Sequence, residues 1–183
     1  MKKRVVRILL IVLAIIVLAF LINQYFIHFD GEGKKSAEDA LPTDQQYEWI
    51  KGPKTDNEQR YFYLSNGNYF GTSIVTKNLR GWSLGEGVQS NLPSPLEFNK
   101  IAAAYSDSKI LFGLIKPDGK VRVTVNDVDA ELMQMDLNVD VVDLYNVEGY
   151  CIWYVDLSKV KAKKEYIIKI IDSNEDTLYE LKI

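Results

Sequence analysis

From Ile8 to Ile22 every residue is apolar, fifteen in succession. Asn23 and Gln24 interrupt, and Tyr25, Phe26, Ile27 and Phe29 follow. A helix needs about 20 residues to cross the hydrocarbon core of a bilayer, so residues 8–29 are predicted to form one transmembrane segment. Its aromatic members sit where an interfacial belt belongs. No pair of small residues suited to signal-peptide cleavage follows the run, which predicts an uncleaved signal anchor. Lys2, Lys3, Arg4 and Arg7 precede or open the run without an acid among them. That bias predicts a cytoplasmic N-terminus (residues 1–7) and an extracytoplasmic remainder in a single-pass protein of the cell membrane.

Beyond residue 46 the period changes to two. "RYFYLS" (60–65) leads through Asn66-Gly67, the strongest short hairpin signal, into "YFGTSIVT" (69–76). "LRGWSLGEG" (79–87) is a shorter, glycine-punctuated strand, and "VQSNLPSPLEF" (88–98), with two prolines, reads as a loop. "KIAAAYS" fits a strand or a short helix. "KILFGLIK" (109–116) has no polar alternation and suits a central strand. Pro117-Asp118-Gly119 turns the chain into "KVRVTVN" (120–126), with Val121, Val123 and Val125 facing inward and Arg122 and Thr124 outward. "DAELMQM", "GYCIWYVDL" (149–157), "KEYIIKIID" (164–172) and "TLYELKI" (177–183) supply further strands, the last two around Ser173–Asp176. Turns about every ten residues, with no helix long enough for βαβ units, predict an all-β antiparallel sandwich over residues 47–183. Residues 30–46, poor in large apolar side chains, are predicted to be a flexible tether.

Charge separates these segments further. The net charge of −3 combines a basic N-terminus with an acidic outer domain of 16 basic and 20 acidic residues. Such a domain lacks the concentrated positive surface that nucleic acid requires. Cys151 is the single cysteine, so no internal disulfide forms; within "YCIWYV" it reads as a small buried hydrophobe.

Two segments, "VRVTVNDVDAEL" and "IWYVDLSKVKAKKEYIIKIIDSNEDTLYELKI", resemble the back half of bacterial immunoglobulin-like cell-surface domains. In those domains a valine-rich strand ends in a Val-Asn-Gly turn, and the last hairpin turn often reads Asp-x-x-Gly-Asn-Thr. Here Asp127 stands at the first glycine position, and Glu175-Asp176 replace Gly-Asn. The resemblance, over residues 120–183, implies an immunoglobulin-like β-sandwich and carries no catalytic residues. The layout as a whole is similar to small membrane-anchored proteins of Gram-positive bacteria.

The inventory of reactive groups is thin. The only histidine is His28, at the membrane boundary, so the outer domain holds no Ser-His-Asp or Cys-His set. No phosphate loop, dinucleotide fingerprint or zinc-protease motif occurs. Asp127, Asp129, Glu131, Asp136, Asp140 and Asp143 lack a glycine-bearing loop to fold them around calcium and read as a solvated edge. No metal, cofactor or catalytic residue is expected. What remains are aromatics: Trp82 among Gly81, Gly85 and Gly87, and Tyr61, Tyr63 and Tyr69. Tyr61 and Tyr63 share one strand face, and Phe62 and Leu64 the other. Tyrosine and tryptophan dominate binding hot spots, although Trp82 also fits a core plug. The expectation is a non-catalytic, membrane-anchored module that binds an envelope or membrane protein through Trp82, Tyr61, Tyr63, Tyr69 and the 88–98 loop. The alternative is a small ligand or envelope glycan on the aromatic face.

Overall fold

In the computed structural model, residues 2–22, 33–44, 46–161 and 165–183 are described. The aromatic belt expected at Tyr25, Phe26 and Phe29, and His28 beside it, lie outside them. The chain opens on α1 (Lys2–Ile22). Among the described residues twelve strands follow: β1 (Tyr47–Lys54), β2 (Glu58–Ser65), β3 (Tyr69–Asn78), β4 (Gly81–Asn91), β5 (Ala104–Ser106), β6 (Ile110–Ile115), β7 (Val121–Val125), β8 (Val128–Asp129), β9 (Glu131–Gln134), β10 (Cys151–Asp156), β11 (Ile167–Asp172) and β12 (Thr177–Lys182). A second helix, α2 (Val139–Tyr145), lies between β9 and β10. The protein is therefore mostly β, in antiparallel sheets behind one apolar helix.

Two compact units emerge. One comprises the chain up to Pro42 with Pro53–Arg60 and Ile74–Gly85; the other comprises Thr43–Gly52, Tyr61–Ser73 and Glu86–Ile183. In the first unit the Lys3–Ile22 stretch has a mean hydropathy of 3.3 and none of it is buried. Length and apolarity of this kind suit a membrane anchor or a signal sequence. Part of the segment expected to be a tether has regular structure. Ser36 Oγ accepts from the Asp39 N–H at 3.0 Å, and Asp39 Oδ2 accepts from the Ser36 N–H at 3.1 Å, a reciprocal side chain–backbone pair. It opens a single 3₁₀ turn, Glu38–Ala40. Lys34 and Trp82 exchange both backbone hydrogen bonds, at 2.7 and 2.8 Å. Glycine permits this approach: a Cβ on Gly81 (φ +130°) would lie 2.4 Å from the Lys34 carbonyl oxygen. Composition hid the Lys34–Trp82 pairing because it is backbone-to-backbone.

The strands form three four-stranded sheets, ordered β1-β2-β3-β4, β5-β6-β10-β9 and β12-β11-β7-β8, where turn spacing led to the expectation of two. The reason lies in β6 and β10, which pair along their lengths with Trp153 opposite Gly113. Ile110, Phe112, Leu114 and Ile152 enter one hydrophobic cluster with Phe62, Leu64 and Phe70 of β2 and β3. The alternate residues Leu111, Ile115, Trp153 and Val155 enter another with Val123, Val125, Ile168 and Ile170 of β7 and β11. A sheet apolar on both faces needs cover on both. In the larger unit the middle sheet is therefore filled from either side.

The turns follow the sequence. Asn66 (φ +50°) and Gly67 (φ +73°) are left-handed, as the hairpin reading requires, and so is Gly119 (φ +78°). Asp127 and Glu175, which occupy glycine positions of the resembled domains, also have positive φ, +66° and +68°. In β7, Val123 and Val125 are fully buried as expected, but Thr124 on the other face is buried too. The helix α2 is set by its caps rather than its interior. Asn138 Oδ1 accepts from the Val141 N–H at 2.9 Å, and Asn146 ends the helix at φ +53°.

An aromatic cluster as candidate binding surface

The aromatic residues singled out in the sequence separate into different environments. Trp82, in the first unit, is 7% exposed. Its ring lies under the Lys77 ammonium, 5.8 Å from the centroid, a cation–π contact. It behaves as the core plug that its glycine-rich setting allowed. Tyr61 and Tyr63 are 2% and 6% exposed, in the larger unit, and Phe62 and Leu64 face the opposite way, into the first hydrophobic cluster. The alternation read from the sequence is thus the one observed, but burial withdraws Trp82, Tyr61 and Tyr63 from direct contact with a partner in this conformation. Tyr69 is half-buried at the start of β3.

What covers Tyr61 and Tyr63 is β1. On this edge strand Ile50 points into the core, while Tyr47 and Trp49, half-buried, take the other face. Their rings stack with centroids 5.2 Å apart and planes 17° apart. Trp49 meets Tyr63 edge-on at 5.0 Å and Tyr61 at 6.2 Å, and Tyr47 meets Tyr63 at 5.4 Å. Such edge and offset pairs each add about 0.5–1.5 kcal/mol beyond area burial. The result is an upper stacked pair on a buried lower pair.

The lower pair is fixed from beneath. A Cβ on Gly71 would lie 2.6 Å from both Cζ and the hydroxyl of Tyr63, so the glycine leaves the space that the ring fills. The Tyr63 hydroxyl donates to Gln89 Oε1 at a long 3.4 Å. Burial pushes its phenol up from the ordinary 10.0, and neighbouring Tyr47 adds to the shift. The direction fixes the linkage. A phenol whose folded pKa is raised contributes stability that is complete below pH 10.0 and is lost as pH climbs through the folded value. Unfolding free energy measured by denaturant titration from pH 8 upward should fall more steeply above about pH 10 in wild type than in Tyr63→Phe. Equal slopes would show that Tyr63 ionises as freely folded as unfolded.

Two other candidate groups have settled surroundings. Cys151 is half-buried against the second cluster, and burial pushes its thiol up, away from the thiolate that nucleophilic chemistry needs. In the acidic stretch, Asp129 accepts from Arg122 at 3.0 Å and Asp127 lies 3.8 Å from the Lys169 ammonium; Arg122 also pairs with Glu175. These are solvated ion pairs of small individual worth.

Sequence reasoning missed Tyr47 and Trp49. The signal was present: two aromatics two residues apart at the start of β1, repeated by Tyr61 and Tyr63 in β2, place four rings on one face if the strands are neighbours. The chain matches no protein-family model, no curated protein and no solved structure among those compared.

Proposed function

We propose that this chain is a non-catalytic interaction module, held in the cell membrane by α1 with its N-terminus in the cytoplasm and its β-domain outside. The partner is an envelope or membrane protein. The observation that carries the reading is the Tyr47–Trp49 stack, half-exposed on an edge strand and seated on buried Tyr61 and Tyr63. Rings held in this way lose little freedom on binding, and preorganisation of this kind raises affinity. The apolar, unburied face of α1 supports anchoring, and the four N-terminal cations support the orientation. The left-handed residues at Asp127 and Glu175 support the immunoglobulin-like reading of residues 120–183.

The stack favours a protein over a glycan. A sugar ring packs on an open aromatic face, and coplanar neighbours would offer two. Here the rings turn their faces toward one another at 5.2 Å.

Chemical cross-linking in native membranes, followed by capture of the full-length chain, tests this reading. Wild type should recover one membrane protein, and Tyr47→Ala/Trp49→Ala should lower its yield by at least about tenfold, the scale of losing a hot spot. Equal recovery from both, or no protein recovered while wild type binds purified envelope glycan, would overturn it. Retained cooperative urea unfolding would show that the variant keeps its core.

A further inference from the structure

The third sheet ends in β12, whose outer edge pairs with no strand among the described residues. Two other edges in the larger unit are blunted. β8 is two residues long, follows Asp127 and ends on Asp129, and β5 has only three residues. Short strands and charges are the usual defences of a sheet edge. β12 has neither proline nor glycine, runs for six residues, and its ladder to β11 extends through Tyr166 and Ile183. Tyr179 and Leu181 pack only partly against the second hydrophobic cluster, while Glu180 and Lys182 point outward and pair with each other at 3.3 Å.

We propose that β12 pairs antiparallel with β12 of a second copy of this chain, joining two third sheets about a twofold axis. The inference is independent of the aromatic site. The occupant follows from self-complementarity. With Leu181 opposite Leu181 of the second copy, Glu180 stands opposite Lys182 of the second copy, and Lys182 opposite its Glu180. Tyr179 then faces Ile183 of the second copy on the inner side. A slip of two residues sets Glu180 against Glu180, which repels. A slip of one turns the inner face outward. Cross-strand pairs of opposite charge stabilise a ladder and like charges weaken it. The pairing is isologous and stops at two copies, because the short acidic β8 edge does not offer a second strand for growth.

Full-length protein in detergent, followed by sedimentation velocity over a concentration series, provides the test. Wild type should show a monomer–dimer equilibrium. Glu180→Lys and Lys182→Glu, each setting like charges opposite one another twice, should each weaken it by about tenfold. The double variant Glu180→Lys/Lys182→Glu should restore it, and restoration also shows that the fold survives. A monomer at every concentration overturns the proposal. So does a dimer indifferent to the single changes, which would place the contact elsewhere, or a double variant that stays weak.

Discussion

Trp153→Ala should lower the unfolding free energy by about 3–5 kcal/mol, a large share of the roughly 5–15 kcal/mol that holds a domain together. Trp153 is fully buried at the centre of the second hydrophobic cluster, and its neighbour across the ladder is Gly113. A Cβ on Gly113 would lie 2.9 Å from Cζ2 and Nε1 of the indole and 2.7 Å from the Ala103 carbonyl oxygen. The missing side chain is the space that the indole occupies, so Gly113→Ala should itself cost about 1–3 kcal/mol through overpacking. The two changes share one space, so their combination should cost less than the sum of the separate effects. It should not return to wild type, since the contact with the Ala103 carbonyl persists. Trp153→Phe should be milder than alanine. It keeps most of the volume and removes an indole N–H that has no hydrogen-bond partner among the described residues. Urea titration of wild type and the four variants measures all of this. A loss below about 1 kcal/mol for Trp153→Ala would mean that the site collapses around the cavity, contrary to a centre braced between two sheets.

Gly113 also shows where the sequence is readable and where it is not. "KILFGLIK" marks a strand buried on both faces, and the glycine within it looks like a weakness until the partner strand is known. Periodicity carries which residues share a face, as with Tyr61 and Tyr63 against Phe62 and Leu64. It does not carry which strand lies alongside, so the paired aromatics of β1 could not be placed over those tyrosines from the pattern alone. The helix α2 escaped for a different reason. Val139, Val141 and Val142 are β-branched and argue for a strand, and only Asn138 and Asn146 at the ends fix a helix, through an N-cap and a left-handed stop. The apolar helix and the Asn-Gly hairpin needed no tertiary information and were legible outright. The third sheet required the inference that two doubly apolar strands cannot end a two-layer stack.

Phe112→Ala, next to Gly113 on the other face of β6, should cost about 3–5 kcal/mol as well. Phe112 is fully buried, and its ring lies 5.7 Å from Phe62, 5.8 Å from Phe70 and 5.7 Å from Tyr105. Three aromatic contacts vanish together, and the surrounding rings belong to strands too rigidly paired to close the gap. The consequence should reach the second cluster. β6 and β10 send alternate residues into both clusters, so neither can melt while those two strands stay in place to serve the other. Hydrogen exchange distinguishes shared from separate unfolding. In Phe112→Ala the slowest amides of β11, including Ile168 and Ile170 in the second cluster, should lose as much protection as those of Phe62 and Leu64 in the first. Protection lost in β2 and β3 alone, with β11 unchanged, would show that the two clusters open independently. The middle sheet would then be a boundary between two folding units rather than the element that makes them one.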